Sequence, residues 1–216
     1  MKVELLSHTQ PAQPFAENLT ELIAFCARVS NPSNQHNKET SEKLIRYLIK
    51  NQHWSPLEMV SICLEIHTTR DIARQILRHR SFSFQEFSQR YAVADLGFEF
   101  KEARLQDTKN RQNSIETDDE GLQKKWELEQ AYVAAEAEKA YKWAIDNGIA
   151  KEQARAVLPE GMTLSVLYMN GTLRSWVHYI QLRSANGTQK EHREIALACA
   201  ESIEPIFPMI KEFIQQ

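Results

Sequence analysis

Glycine is scarce in this chain, and cysteine is scarcer. The six glycines stand singly at 97, 121, 148, 161, 171 and 187, so there is neither a G-x-G-x-x-G turn nor a Walker phosphate loop. A dinucleotide, if one binds, must then be held by side chains and helix ends, not by a Rossmann loop. Cys26, Cys63 and Cys199 are odd in number, far apart and in apolar company. They predict reduced core thiols in a cytoplasmic protein, not a disulfide framework. The seven histidines are scattered and no two stand four residues apart, which speaks against a metalloenzyme of the H-E-x-x-H kind. No apolar run approaches the roughly 20 residues that cross a bilayer. The opening MKVELLSHTQ carries acid and hydroxyl too early for a signal peptide. Net charge is -3, so nothing global draws the chain to nucleic acid or to an anionic membrane.

What is present suits one soluble domain over residues 1–216, with 42% hydrophobic and 25% charged residues. Val3 and Leu5 suggest an opening strand. From Phe15, the residues Leu19, Leu22, Ile23 and Cys26 keep helical spacing up to Asn31-Pro32. A second helix should start at Thr40 or Ser41 and stop near Asn51. Val60, Ile62, Leu64 and Ile66 alternate with polar neighbours, the period of a half-buried strand. Thr68 and Asp71 offer a start for the helix that leads to Arg78, along which Arg70, Arg74 and Arg78 form a basic stripe. Cations in a last turn suit the helix dipole, and that is reason enough for Arg70 and Arg74.

Farther on, residues 98–120 read by composition as a mobile polar loop. Thr117 and Glu120 make a capping-box pair for a long helix with Leu122, Trp126, Val133, Ala137, Ala140 and Tyr141 on one face, stopped by Gly148. A short helix ends before Pro159. Met162, Leu164, Val166 and Tyr168 alternate as a strand, with a turn at Asn170-Gly171. Thr172 can cap the next helix, which turns Leu173, Trp176, Val177 and Ile180 inward. A last helix should open at Thr188 with Glu191, bury Ile195, Cys199 and Ile203, and bend or divide at Pro205.

The most unusual stretch is Arg78–Tyr91, RHRSFSFQEFSQRY. Arginine's planar fork suits bidentate contact with phosphate or carboxylate and stays charged in a partly dry pocket. Glu86 in the middle would repel an anion, so a uniform phosphate track is disfavoured. Arginines for an anionic group, with Gln85, Glu86 and the serines around a polar ring, describe a pocket. By residue type alone, a solvated basic helix end with an aromatic anchor fits equally well.

The order of the residues distinguishes these. Arg78-His79-Arg80, seven residues, then Ser88, followed by Arg90 and Tyr91, resembles the signature of the flavin-dependent thymidylate synthases, with Gln85-Glu86 where that family usually has Asn-Glu. His53-Trp54-Ser55-Pro56-Leu57-Glu58 is similar to the family's His-x-(Ser/Thr)-Pro-Phe-Glu-His element, with Leu57 for the aromatic and Met59 for the second histidine. The piece from Ala103 to Ser114 resembles a segment that follows the signature in relatives, which implies partial order there.

The resemblance implies an α+β fold, mostly antiparallel sheet with a large helical component, that binds flavin without a Rossmann domain. It implies conversion of dUMP to dTMP, with methylenetetrahydrofolate giving the carbon and FAD reduced by NADPH giving the hydride. It implies a homotetramer with sites shared between subunits. The dUMP contacts it implies are Gln75, Arg78, Glu86, Ser88, Arg90, Arg155 and Arg183. The FAD contacts are Ser55, Arg78, His79, Arg80, Glu86, Arg174 and His178, with His53 on the folate or flavin side. Arg183 is the expected catalytic group, beside the uracil. Ser88 has no base arranged to activate it and reads as a hydrogen-bonding contact, not a nucleophile. The competing reading is a nucleic-acid-binding module using the Arg/Phe-rich stretch 70–91, against which the net acidity and Glu86 argue.

Overall fold

The computed structural model describes residues 2–215. The chain opens with β1 (Lys2–His8). α1 (Leu19–Ala27) starts later than the apolar spacing from Phe15 suggests, because Asn18 accepts from the Glu21 amide at 2.9 Å and caps the helix there. α2 (Ser41–Lys50) begins where expected. Thr40 makes no cap, since its hydroxyl accepts from Arg28 at 2.8 Å instead. A 3-10 turn at Ser55–Met59 leads into β2 (Ser61–Thr69). The N-cap of α3 (Arg70–Ile76) is Thr69, not Thr68.

The signature stretch itself contains a strand, β3 (Phe82–Glu86). The expected mobile loop 98–120 carries a small hairpin, β4 (Arg104–Gln106) paired antiparallel with β5 (Ser114–Glu116). α4 (Glu120–Asp146) is capped by Asp119, which accepts from the Leu122 amide at 2.9 Å, in place of the expected Thr117. Its buried positions are Gln130, Ala134, Ala137, Tyr141 and Ala144, while Leu122, Trp126 and Val133 are exposed. Small residues let that face approach its neighbours closely, so bulk did not predict the inward face. Gly148, at φ +76°, ends the helix as expected.

α5 (Lys151–Ala154) and a 3-10 turn at Arg155–Val157 finish before Pro159. β6 (Leu164–Thr172) runs straight through Asn170-Gly171, so the turn expected there does not exist. Gly171 sits opposite Phe82 on β3, and a Cβ at Gly171 would lie 2.4 Å from the Phe82 ring. The glycine is needed for close approach of an aromatic ring, not for a turn. The inward face of β6 is Ser165, Leu167 and Met169; Leu164, Val166 and Tyr168 lie on the less buried one. α6 (Leu173–Arg183) is capped by Thr172 as expected and buries Leu173, Trp176, Val177 and Ile180. α7 (Lys190–Ile203) starts after Gln189, not at Thr188, and buries Ile195, Cys199 and Ile203; it ends before Pro205.

The main sheet has the order β1-β2-β6-β3 and is antiparallel throughout. With α6 and α7 packed on one side of it, the architecture is the expected α+β type. The core lies between that side and α6 and α7, where Ile62, Leu64, Ile66, Leu167 and Met169 meet Trp176, Ile180, Ala196 and Cys199. Trp176 is fully buried, and its indole N–H donates to the Ile62 carbonyl at 3.0 Å, so its one polar atom is satisfied. This packing sets the position of α6, the helix that carries Arg174, His178 and Arg183. Among the described residues no helix is long and apolar enough to cross a membrane.

Candidate active site

α3 ends at Ile76, and the chain turns through Arg78, His79 and Arg80 before entering β3. His79 is held against α6. Its ring meets Tyr179 of α6 edge-on at 4.9 Å, and its Nε2 accepts from Arg183 Nε at 2.9 Å. Burial, and then the neighbouring Arg183 charge, hold His79 down to about 4. The imidazole is therefore neutral near pH 7 and acts as an acceptor. One guanidinium nitrogen of Arg183 is occupied by it, and among the described residues no carboxylate pairs with the rest. Arg183 neither caps the helix nor pairs with Glu191, which is bound by Arg104.

Arg78 and Arg80 are exposed, and among the described residues neither side chain has a hydrogen-bonding or ionic partner; the same is true of the half-buried Arg155. Gln75 donates to Gln189 at 2.7 Å.

A second group borders the first through Ser175, whose hydroxyl donates to the Ser81 carbonyl at 3.2 Å. Here Arg174 pairs with Glu58 of the 3-10 turn that starts at Ser55. His178, one helical turn beyond Arg174, packs edge-on against Trp54 at 4.3 Å. Its pKa is lowered by burial and by Arg174. His53 lies farther out, edge-on to Tyr47 at 6.3 Å.

The remaining expected residues are elsewhere. Ser88 and Arg90 follow the far end of β3, where Arg90 pairs with Glu152 at 3.3 Å and Lys151 donates to the Tyr91 carbonyl at 3.1 Å. Arg155 belongs to the same short helical segment as Glu152. The five residues of β3 separate Arg80 from Ser88. At about 3.3 Å per residue that is roughly 17 Å of strand, too far for one nucleotide to touch both ends. One chain thus assembles two half-sets of the expected contacts.

Glu86 belongs to neither half-set in a simple way. Its carboxylate accepts from Arg74 at 2.7 Å, from Arg70 at 3.4 Å and from the Ser165 hydroxyl at 3.0 Å. Glu160 closes the cluster, 3.0 Å from Arg74 and 3.4 Å from Arg70. Arg70 and Arg74 are therefore ion-paired, which is a stronger reason for their presence than the helix dipole.

Sequence reasoning missed several residues at these places: Trp54, Glu160, Tyr179, Gln189 and the fully buried His192. Gln89 was missed too; it is 3% exposed, and its amide nitrogen has no partner although it lies between Ser88 and Arg90. Trp54 and Glu58 lay inside the His53–Glu58 element and Gln89 inside the Arg78–Tyr91 stretch, while Glu160, Tyr179, Gln189 and His192 carried no signal. A concavity of about 650 Å³ lies between the β4–β5 hairpin and α4 beside Trp126 and Gln189, away from Arg78 and Arg80. The arginine surfaces are open in the single chain.

Residues 4–209 match the family described as Thymidylate synthase complementing protein, Thy1. The chain is 48% identical over 210 residues to a probable flavin-dependent thymidylate synthase of Paramecium bursaria Chlorella virus 1, covering 97% of each. It is also 48% identical to the flavin-dependent thymidylate synthase of a Synechocystis species, over 97% of this chain and 93% of that one. Among solved structures, the UMP/dUMP methylase PolB from Streptomyces cacaoi, bound with 5-Br dUMP, superposes with a TM-score of 0.83 at 25% identity, covering 98% of this chain and 93% of that one.

Proposed function

This chain belongs to the flavin-dependent thymidylate synthases, and we propose that it forms dTMP from dUMP with methylenetetrahydrofolate as carbon donor and FAD, reduced by NADPH, as hydride source. The observation that carries the reading is the cationic cluster at the start of β3. Arg78 and Arg80 flank His79, which is kept neutral and accepts from Arg183, and among the described residues none of the three arginines has a carboxylate partner. Unpaired guanidiniums on a net acidic chain suit anionic ligands.

The residues fit FAD. Arg78 and Arg80 are unpartnered donors for a pyrophosphate, no glycine loop competes for that role, and Ser55, Arg174, His178 and His79 supply polar edges for a ring system. Bound FAD would supply the hydride. The chain's own task is to bind and activate uracil, whose C5 becomes reactive when N3 loses its proton and charge spreads round the ring. Arg183 favours that ionised ring as an opposite charge at short range. Its Nε–H is committed to His79, which restrains the guanidinium and leaves its other nitrogens for a ligand. His53 is the candidate contact on the folate or flavin side.

The separation of the two half-sets supports a shared site in a single-domain homotetramer. Gln75, Arg78 and Arg183 of one chain would meet dUMP together with Ser88, Arg90 and Arg155 of a second copy. Glu86 would reach dUMP or FAD only through its lone pairs not taken by Arg74 and Arg70. The test is subunit mixing. Arg78→Ala and Arg90→Ala proteins, each inactive alone, should regain dTMP formation when co-assembled, because some sites then receive neither substitution. Absence of recovery in proven mixed oligomers, or an active monomer in sedimentation, would refute the shared site. Failure of the folded protein to bind flavin would refute the function.

A further inference from the structure

A chain of hydrogen bonds, buried at His192 and exposed at Gln189, leads from α7 to Gln75, and we propose that it makes His192 a positioning residue that holds the Gln75 amide in one orientation for the nucleotide. The proposal rests on the reading of Gln75 as a dUMP contact. The chain begins at the carboxylate of Glu191, 8% exposed and ion-paired with Arg104 of β4. Burial alone would raise the Glu191 pKa, but the Arg104 contact and further hydrogen bonds outweigh it and the pKa is lowered. An ionised carboxylate only accepts.

That end condition orders the rest. Gln189 Nε2 donates to Glu191 Oε2 at 2.9 Å, so Gln189 Oε1 is left to accept from Gln75 Nε2 at 2.7 Å. Gln75 Oε1 then faces His192 Nδ1 at 3.2 Å. An amide oxygen has no hydrogen to give, so Nδ1 must carry the proton. His192 Nε2 is thereby a bare acceptor, and the Tyr179 hydroxyl donates to it at 3.1 Å. Reversing the Gln75 amide would set N–H against N–H at His192 and oxygen against oxygen at Gln189. The first clash falls beside the fully buried His192, where an unmade hydrogen bond is costly, and the second lies at the exposed Gln75–Gln189 contact and costs less.

His192 is fully exposed to none of the solvent, at 0% accessibility, and burial first, with the charge of Arg183 next, holds it down to about 3. It stays neutral, in one tautomer, throughout the range in which the enzyme works. Gln75 keeps one amide hydrogen and one carbonyl lone pair of fixed direction, three residues before Arg78. A side chain already immobilised loses little freedom when a ligand arrives, which favours binding.

The experiment combines tautomer and affinity on flavin-loaded protein. Nitrogen-15 NMR of wild type should show His192 as the Nδ1–H form from pH 8 to pH 5; an Nε2–H form overturns the proposal. His192→Leu should weaken dUMP binding, read by titration, by about 5-fold, the size of one lost hydrogen bond, and raise KM more than it lowers kcat. His192→Asn, whose amide nitrogen can replace Nδ1 as donor, should restore most of the affinity. A merely structural histidine would lower the melting temperature without that split or rescue. Wild-type dUMP affinity in folded His192→Leu overturns the proposal. Where the leucine variant does not fold, Glu191→Gln serves, because a terminal amide no longer dictates direction. Mixed His192 tautomers with weakened dUMP binding then support the proposal, and a single Nδ1–H form with wild-type affinity overturns it. Gln75→Ala identifies the source of a failure: wild-type dUMP affinity there means that Gln75 does not touch the nucleotide, which removes the premise whatever the tautomer.

Discussion

Two sets of arginines lie within eleven residues of each other, and they live in opposite electrostatic conditions. Arg70 and Arg74 on α3 share Glu86 and Glu160, and the Arg70 side chain is only 7% exposed. Arg78 and Arg80, just past the helix end, have no partner among the described residues. By spacing alone Arg70, Arg74 and Arg78 form one basic stripe that spans both sets. The difference teaches that a guanidinium's role is set by whether an acid is within reach in space. Around the paired set the field is closed. Around the unpaired set it is open, and its effect appears in His79 and His192, both pushed down in part by the uncompensated charge of Arg183.

The sharpest way to test the comparison is Arg183, which belongs to the open side. Arg183→Ala should keep FAD and some flavin reduction by NADPH while dTMP formation falls by roughly 10²–10³, as when an oxyanion-hole donor is removed. Arg183→Lys should recover little, because an ammonium cannot reproduce the fork. Near wild-type turnover in folded Arg183→Ala would assign the residue to stability alone. Next in size is a contrast in denaturant unfolding. Arg70→Ala should cost about 3 kcal/mol by leaving Glu86 short of a buried partner, whereas Arg78→Ala should change stability by less than about 0.5 kcal/mol and weaken flavin binding instead. Equal stability losses would erase the distinction.

A pH series sharpens the open side further. His192 has a folded pKa of about 3 against 6.5 in the unfolded chain, so the unfolded state takes up its proton first. Stability is then complete above pH 6.5 and falls as pH drops toward 3. Between pH 6.5 and 5 the loss from His192 alone should be about 2 kcal/mol, and a folded His192→Asn protein should show a flatter profile there. The smallest expected effect is at Ser88. Ser88→Ala should weaken dUMP binding by a few-fold, about one hydrogen bond, and leave measurable turnover. A covalent adduct trapped at Ser88, or complete inactivity with normal dUMP binding, would contradict this.

Much of the fold was legible because local rules and the tertiary structure agree. Thr172 caps α6, Gly148 ends α4, and the alternation Val60–Ile66 is β2, since each depends on neighbours a few residues away. The misreadings have a common cause. Asn170-Gly171 has turn chemistry, but its glycine makes room for Phe82, nearly ninety residues earlier in the chain. Asp119 outcompeted Thr117 as a cap, and of the expected inward face of α4 Ala137 and Tyr141 are buried while Leu122, Trp126 and Val133 are exposed. In the site, the signature and the His53–Glu58 element could be named from their order, while Tyr179, Gln189 and His192 carried no local mark.

The sequence by itself determined the chemistry on offer: a cluster of arginines with one histidine, no glycine loop, and the residue order shared with a family of thymidylate synthases. Spacing along the chain suffices for that, because motif order and helix or strand period are local properties. Only the tertiary structure decided which arginines are free. It brought Glu160 to Arg70 and Arg74, Glu58 to Arg174, and His79 to Arg183, and it set Ser88 and Arg90 at the opposite end of β3 from Arg78. Charge acts through space and falls off with distance, so contacts between residues far apart in sequence determine which cations are left for a ligand.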